Sequence, residues 1–268
     1  MLNKKVAFIG GGNMAEGIIR GMIQEEACAK ENIAVYDVVE RRLDYLKETY
    51  QVEIISDLKQ SISSSDVLFI AVRPQDADQV LSQIKEEGGG KALIISICAG
   101  VTLDKMLSVI GEDSRIARVM PNVLIEAKHG YSGVCASPKV TKEDQADLEI
   151  MFNALGQTMF ISESQFDAFT AFSCAGPAYV MHCISGLIDA GVQSGFSRFD
   201  SRNMVLENII GSGILLNKTG EHPFERVDKM TSPAGVTIEG VAVLNESGLT
   251  GILMDAVKAA LDRTKELS

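Results

Sequence analysis

A glycine-rich turn near the N-terminus is the segment of the sequence best suited to chemistry. Residues 10–15 read Gly-Gly-Gly-Asn-Met-Ala, which fits the pattern G-x-G-x-x-A, and they directly follow a short apolar run. Gly10 permits a tight turn, Gly12 lets a pyrophosphate approach the backbone, and Ala15 lets the next helix pack against the preceding strand. The N–H groups and the positive dipole at the helix start would bind negative charge, with Asn13 and Met14 as backbone contacts. The turn therefore predicts dinucleotide binding; the alternative is a purely structural glycine turn.

An acidic residue lies where such a dinucleotide would place a ribose. Asp37 ends a predicted strand, 25 positions after Gly12, about where a carboxylate accepts hydrogen bonds from the adenosine ribose. Its charge would repel a 2′-phosphate, which favours NADH over NADPH. Arg41 and Arg42 follow one helical turn later and are long enough to reach a phosphate. A second interpretation, in which Asp37 is simply the N-cap of the next helix, stays open.

Hydroxyl and glycine residues also cluster in the C-terminal third. Residues 230–237 read Met-Thr-Ser-Pro-Ala-Gly-Val-Thr. Ser232 followed by Pro233 is typical of a helix entry. Hydroxyl groups and backbone N–H groups at such a place could donate hydrogen bonds to a small carboxylate. An ordinary capped turn explains the same residues, and the residues alone do not decide between the two.

Alternating strands and helices would position the glycine turn. The first 163 residues contain short apolar runs separated by amphipathic stretches. This pattern is typical of a parallel sheet that helices cover on both faces. The predicted strands are 4–10, 32–37, 52–55, 66–72, 91–98, 115–120 and 158–161. The predicted helices are 14–26, 40–50, Pro74 to the glycines 88–90, 101–110 and 142–155.

After residue 163 the pattern changes to long helical periodicities. These cover roughly 164–195, 200–219 and 234–267. We therefore predict an α/β fold in which a mostly parallel sheet domain at 1–163 precedes an all-helical domain at 164–268. The segment Ala168–Ile188 has no charged residue and the length of a membrane span. Because it contains several polar residues, we interpret it as a helix buried on most sides inside protein.

Composition excludes several classes of function. The chain has 268 residues, 46% of them hydrophobic, and a net charge of −11. Such an acidic chain is a poor match for nucleic acid or an anionic membrane. Its five cysteines form no CxxC pair, which favours a reducing compartment and a cytoplasmic location. Its three histidines have no partner at helical spacing, so we expect no metal site.

Taken together, these segments resemble the pyrroline-5-carboxylate reductase family, which performs the last step of proline synthesis. The resemblance covers nearly the whole chain in order, and the glycine turn combined with the serine–proline loop makes it specific. The matching segments are FIGGGNMA at 8–15, DVLFIAVRPQ at 66–75, ICAG at 97–100, RVMPN at 118–122, GPAY at 176–179, TGEHP at 219–223 and TSPAGVT at 231–237.

The resemblance implies a fold, a reaction and an assembly. It implies a Rossmann-type N-terminal domain and a helical C-terminal dimerisation domain, with a homodimer that in this family often assembles further, commonly into a decamer of five dimers. The implied reaction is reduction of the cyclic imine Δ1-pyrroline-5-carboxylate to L-proline with NADPH or NADH, so the expected partners are small molecules.

The resemblance also assigns roles to residues. The Thr237 hydroxyl would be the catalytic hydrogen-bonding partner or proton donor of the ring nitrogen. The substrate carboxylate would lie on Ser232 and on the backbone N–H groups of Gly235 and Val236. An asparagine common in the family is Asp57 here, and together with Asp37 it favours NADH. Further cofactor contacts are expected at Ala71, Val72, Arg73 and Pro74, because they follow the carboxyl end of a predicted strand, where open parallel sheets bind ligands. The family pattern adds Cys98, Ala99 and Asn122.

Departures from the family pattern leave alternatives open. Cys174, Ala175 and Ala234 stand where the family usually has glycine, serine and glycine, which keeps open a non-catalytic paralogue that binds dinucleotide and regulates a partner. Another two-domain oxidoreductase, of the β-hydroxyacid dehydrogenase type, would usually need a lysine base in the helical domain. The lysines after residue 163 lie in no glycine–serine setting; they are Lys218, Lys229, Lys258 and Lys265.

Overall fold

The computed structural model describes residues 1–88 and 91–267. By internal contacts the chain divides into two units. The first contains Met1–Cys174 together with the chain end from Leu261, and the second contains Ala175–Ala260. The predicted glycines 89 and 90, at the end of the helix that begins near Pro74, lie outside the described residues.

The first unit is built on one mixed sheet. Its strand order is β3-β2-β1-β4-β5-β6-β7-β8. Every neighbouring pair is parallel except β6 and β7, which are antiparallel. Within the described residues the strands are β1 (Val6–Ile9), β2 (Ile33–Tyr36), β3 (Glu53–Ile54), β4 (Val67–Ile70), β5 (Leu93–Ser96), β6 (Ile116–Pro121), β7 (Gly130–Ala136) and β8 (Gly156–Phe160).

Helices cover both faces of this sheet. The helices of the first unit are α1 (Asn13–Gln24), α2 (Glu40–Tyr50), α3 (Leu58–Ser63), α4 (Ala77–Glu86), α5 (Leu103–Ile110), α6 (Lys142–Asn153) and the short α7 (Phe166–Phe169). The strands are apolar on both faces because two separate cores flank them, one beneath α1, α2 and α6 and one beneath α4 and α5. In the first core the rings of Phe8 and Phe69 stack with centroids 4.4 Å apart.

Two elements of this unit, β7 and α3, were not predicted from the sequence. Strand β7 contains two glycines and a serine, so it lacks the continuous apolar run that marked the other strands. Gly133 in this strand has to be small, because a Cβ there would lie 2.8 Å from the Phe169 ring. Helix α3 spans only six residues and begins at Asp57, whose side chain caps it.

The second unit is helical, as predicted. Its helices are α8 (Gly176–Gln193), α9 (Arg198–Thr219), α10 (Pro223–Met230), α11 (Val236–Glu246) and the part of α12 (Leu249–Leu267) before Leu261, since the rest of α12 groups with the first unit. The predicted helix over 234–267 is in fact two helices, because the chain turns at Gly248, whose φ is +69°. The short α10 was not predicted. The stretch predicted as 164–195 includes a π-helical turn at Thr170–Cys174 before α8 begins.

The prediction of a buried charge-free helix is wrong for the single chain. Residues Glu163–Gln193 are apolar and long enough, by length and composition, to cross a membrane, yet only 11% of their most apolar window is buried. Met181 is 57% exposed and Leu187 is 51% exposed. His182 is exposed as well. The neighbouring helices of the same chain cover only part of α8, so its apolar surface is left without a cover in one copy.

Candidate active site

The glycine turn has the geometry that its sequence requires. Gly10 has a φ of +101°, and a Cβ there would lie 2.4 Å from the Ala71 carbonyl oxygen, so the turn passes tightly against the end of β4. Gly12 is the N-cap of α1, and a Cβ there would meet no atom within 4 Å. Ala15 is buried between α1 and the sheet. The space beside Gly12 and the free N–H groups at the start of α1 fit a pyrophosphate.

Asp37 is fixed next to this turn by two backbone hydrogen bonds. Its Oδ2 accepts from the Gly11 N–H at 2.7 Å, and its Oδ1 accepts from the Val39 N–H at 2.9 Å. The N-cap of α2 is Val39, so the alternative interpretation of Asp37 as the N-cap does not describe the structure. The carboxylate thus lies at the carboxyl end of β2, beside the turn.

The two arginines after Asp37 have different environments. Arg42 is tied down: it donates to the Gly11 carbonyl and to the Glu16 carboxylate, and its guanidinium lies 5.1 Å from the Tyr45 ring centroid. Arg41 is exposed. Of the pair, Arg41 is therefore the one whose side chain is accessible for a phosphate.

Glu16 is the ionised centre of a small network behind the turn. Burial alone would raise the pKa of its carboxyl, but hydrogen bonds from Arg42, Tyr50 and Tyr45 outweigh burial and lower it. The hydrogen bond between Tyr50 and Glu16 has the opposite effect on the tyrosine: burial and this hydrogen bond raise the pKa of Tyr50 to about 12. Glu16 therefore holds Arg42 and the turn in place as a carboxylate.

A cavity of about 550 Å³ opens at the carboxyl ends of β1, β2 and β4. The structure brings six of the predicted cofactor residues together along its wall: Gly10, Gly12, Asp37, Ala71, Val72 and Arg73. The other predicted cofactor residues lie outside its lining, namely Asn13, Met14, Asp57, Pro74, Cys98, Ala99 and Asn122. Arg73 is 74% exposed, and its Nε donates to Asp76 at 2.8 Å.

Several of the residues outside the lining have structural contacts. The Asp57 carboxylate accepts from the Lys59 N–H at 3.0 Å and so caps α3. The Cys98 thiol donates to the Val72 carbonyl at 3.2 Å, and burial raises the pKa of this thiol. The Asn122 amide donates to the Ser173 carbonyl at 3.1 Å and accepts from the N–H groups of Leu124 and Tyr131. Any contact of these three with a cofactor stays a prediction.

Part of the cavity wall consists of residues that were not predicted from the sequence. Neighbours of the predicted residues could have been found from the rule that ligands bind at the carboxyl ends of parallel strands. Those on α4 carry a further signal, because Gln79 and Gln83 are one helical turn apart. The missed residues are Ile9, Tyr36, Val38, Val39, Leu58, Asp76, Gln79, Val80 and Gln83.

In the second unit, residues 231–237 form a tight turn that leads into α11. The Gly235 N–H donates to the Ser232 carbonyl at 2.9 Å, and Ala234 between them has a φ of +58°. Gly235 is the N-cap of α11, so Val236 and Thr237 occupy its first two positions. A Cβ on Gly235 would lie 2.4 Å from the Ser232 Oγ, so a larger residue here would require the Ser232 side chain to move.

This turn changes which groups are available to a carboxylate. The Gly235 N–H was predicted as a donor to the substrate, but in the structure the turn itself uses it. The first N–H groups of a helix have no partner within it, so Val236 and Thr237 offer their backbone N–H groups at the positive end of α11. Ser232 and Thr237 are both exposed. The arrangement can bind a small anion and present a hydroxyl beside it.

The fold and the cavity define the class of Rossmann-type dinucleotide-binding proteins. The family model described as NADP oxidoreductase coenzyme F420-dependent matches residues 5–100. The model described as Pyrroline-5-carboxylate reductase dimerisation matches residues 163–267. The pyrroline-5-carboxylate reductase of Synechocystis is 38% identical over 263 residues, which are 98% of each chain. The chain therefore belongs to the pyrroline-5-carboxylate reductase family.

Solved structures agree with this assignment. The pyrroline-5-carboxylate reductase of Coxiella burnetii has a TM-score of 0.94 at 30% identity, covering 100% of this chain and 99% of that chain. The Plasmodium falciparum pyrroline carboxylate reductase, solved with NADP bound, has a TM-score of 0.88 at 32% identity, with coverage of 100% and 99%. The similarity extends over both units of the chain.

Proposed function

We propose that the protein reduces Δ1-pyrroline-5-carboxylate to L-proline with NAD(P)H, as a step of proline biosynthesis. The observation that carries the proposal is the cavity at the glycine turn, whose wall leaves open space beside Gly12 and holds the Asp37 carboxylate in place. Membership of the family supports the choice of substrate. The anion-binding turn before α11 supports it independently, because the substrate carries a carboxylate.

The residues of this chain would bind and orient the substrate. The Ser232 hydroxyl and the N–H groups of Val236 and Thr237 would hold the carboxylate, with Gly235 shaping the turn. The Thr237 hydroxyl would hydrogen-bond to the ring nitrogen and keep a proton there, because protonation makes the imine carbon a better hydride acceptor. A reduced nicotinamide, when bound, supplies the hydride. Positioning of the two reactants is then the main contribution of the protein to the rate.

The proposal also concerns which cofactor, NADH or NADPH, the protein prefers. Asp37 is a fixed carboxylate beside the expected ribose site, and Asp57 is a second acidic residue at the start of α3. Negative charge repels a 2′-phosphate, so we propose that NADH is preferred. Arg41 is the exposed cation that would oppose this preference.

Assembly and location complete the proposal. The uncovered apolar surface of the second unit supports a homodimer through residues 164–268. We further propose that five such dimers form a decamer, as the family resemblance implies. All five cysteines are free thiols, which supports a reducing, cytoplasmic location.

A spectrophotometric assay tests the function directly. Purified protein with pyrroline-5-carboxylate should oxidise NADH faster than NADPH at equal low concentration. If neither cofactor is oxidised, the proposed reaction is wrong and the non-catalytic paralogue is favoured. The substitutions at Cys174, Ala175 and Ala234 are the observations that suggest this alternative. Faster oxidation of NADPH would contradict only the proposed preference.

A further inference from the structure

The cofactor cavity has a second end, away from the glycine turn. Helix α3 begins after β3, on the outer side of β2, and Leu58 at its first position lines the cavity. The ion pair between Lys59 and Glu87, 2.7 Å long, ties the start of α3 to the end of α4. Gln83 of α4 lies in the lining of the same cavity as Asp37 and Leu58. The adenosine half of a dinucleotide would lie on this side, because Asp37 marks the ribose position.

Gln83 has an amide that the protein itself does not use. The residue is half-buried in the cavity wall. Its backbone carbonyl accepts from the Glu87 N–H at 3.0 Å, but within residues 1–88 and 91–267 its side-chain amide makes no hydrogen bond. Because Gln83 lines the open cavity and its amide atoms are not fully buried, they can take a hydrogen-bond partner there. A ligand group in the cavity would supply that partner.

The surroundings of Gln83 select an uncharged, flat group. Leu58 and Val80 are apolar neighbours on the wall, and the charged side chains of the lining are Asp37, Asp76 and Arg73, of which Arg73 is paired with Asp76. This end of the cavity therefore offers no unpaired cation for a phosphate. Adenine has two apolar faces and an edge with one donor and one acceptor, which a glutamine amide matches with its oxygen and nitrogen.

We infer that Gln83 hydrogen-bonds to the N1 and 6-amino edge of the adenine of the bound dinucleotide and so determines how the cavity recognises its base. This inference rests on the proposed function only in its dinucleotide-binding part. Gln79, one turn earlier on α4, also lines the cavity but is exposed. Because Gln83 is half-buried, its amide would lose contact with water when the base binds. We therefore assign base recognition to Gln83 rather than to Gln79.

Calorimetric titration of NAD⁺ and of 1,N6-etheno-NAD⁺ tests the inference. The etheno bridge blocks both edge atoms of the adenine and leaves the phosphates and riboses unchanged. Wild-type protein should bind NAD⁺ about tenfold more tightly than the etheno analogue, which corresponds to the loss of one or two hydrogen bonds. Gln83→Ala should weaken NAD⁺ binding by a similar factor and should bind the two dinucleotides equally.

A control substitution at another glutamine tests whether the effect is specific to Gln83. Gln60→Ala removes an exposed glutamine of α3 that lies outside the cavity lining, and it should bind both dinucleotides as the wild type does. The inference is overturned if Gln83→Ala binds NAD⁺ normally or still discriminates between the two. Protein that binds NAD⁺ but does not reduce pyrroline-5-carboxylate would contradict the proposed reaction alone, and protein that binds no dinucleotide would contradict both.

Discussion

At the scale of single residues, Ala234 has a conformation that glycine adopts at lower cost. Its φ of +58° lies in the left-handed region, where an L-residue with a Cβ is strained by roughly 1–2 kcal/mol. The strain is localised in the turn that carries Ser232 and Gly235. The left-handed conformation of Ala234 could not be predicted from its residue type, because alanine is ordinary in a turn. Only the resemblance to a family that usually has glycine here marked the position as unusual.

Replacing Ala234 by glycine should therefore stabilise the protein. We expect Ala234→Gly to raise the free energy of unfolding by about 0.5–1 kcal/mol, since relief of strain exceeds the extra entropy of glycine in the unfolded chain. Ala259→Gly, at an exposed position inside α12, should instead lower the free energy of unfolding by about 1 kcal/mol. Urea denaturation measures both, and a destabilised Ala234→Gly would show that the left-handed turn is not strained.

The Thr237 hydroxyl has a role that substitution can isolate. Thr237→Ala should lower kcat by roughly tenfold or more, the low end of what a positioned proton-transfer group contributes. Thr237→Ser keeps the hydroxyl and should recover most of the rate. The fold should be unaffected because the side chain is exposed. Steady-state kinetics with circular dichroism check this expectation, and an unchanged kcat for the alanine variant would remove Thr237 from the mechanism.

At the scale of elements, α6 is held by a reciprocal cap. The Thr141 side chain accepts from the Asp144 N–H, and the Asp144 carboxylate accepts from the Thr141 N–H at 2.9 Å. Arg115 donates to the same carboxylate at 2.6 Å. Burial alone would raise the pKa of Asp144, but these hydrogen bonds and the arginine charge outweigh it and lower the pKa below its ordinary 3.8.

This cap makes stability depend on pH in a defined direction. A carboxylate whose pKa is lowered by folding stabilises the protein above its ordinary pKa of 3.8, and the contribution is lost as pH falls through the lower folded value. Asp144→Asn should lower the free energy of unfolding by about 2 kcal/mol at pH 7. Below pH 3.8 the variant should lose less stability with falling pH than the wild type does.

The exposed Asp113 provides the control for this experiment. Its ion pair with Lys139 also lowers its pKa, but neither group is buried. Asp113→Asn should therefore leave the free energy of unfolding nearly unchanged, because water screens an exposed pair. Equal effects of the two substitutions in urea denaturation across pH would contradict the assignment to the cap.

The segment that joins the two units belongs to the sheet by its contacts. Glu163 accepts from the Arg118 guanidinium at 2.5 Å and from the Leu103 N–H at 3.2 Å. The same guanidinium lies 3.8 Å from the Phe166 ring centroid, and Phe169 packs on Gly133. Contacts therefore group residues up to Cys174 with the sheet, whereas the dimerisation model begins at 163. The predicted boundary at 163 follows the change in periodicity and stays a prediction.

At the scale of the whole molecule, the helical unit exposes more apolar surface than one chain can cover. Large apolar side chains on α8, α9, α11 and α12 are exposed, among them Leu187, Ile214 and Met254. Patches of this kind mark surfaces for association. Sequence periodicity predicted helical structure here, although it joined α11 and α12 into one helix. It did not predict what covers these helices, because a helix buried by its own chain and one buried by a second copy have the same pattern.

A charge on this surface should disturb the proposed assembly. Leu187→Lys should shift the sedimentation mass towards the monomer, since an unpaired charge in an apolar interface is costly. Gln193→Lys, at the exposed end of the same helix, should sediment like the wild type. A monomeric wild type at micromolar concentration would contradict the proposed assembly.

Most of the sheet was predictable because its parallel strands are apolar on both faces. Strand β4 is buried throughout, and its Val67–Ile70 run is unambiguous in sequence. Strand β7 was not predictable because its pairing partners, rather than its own residues, make it a strand. Similarly, the glycine turn was found from its motif, whereas Gln83 belongs to the same cavity only through the tertiary placement of α4.

The place of β1 in the sheet has a consequence for synthesis of the protein. Strand β1 lies in the interior of the sheet, paired on one edge with β2 and on the other with β4, and both partners are synthesised after it. Its apolar Val6–Ile9 run thus keeps one open edge until Val67–Ile70 has been made. Unpaired apolar strands of this kind invite aggregation. We therefore expect nascent chains that stall before Val67 to depend on chaperones, and those that extend beyond β4 to depend on them less.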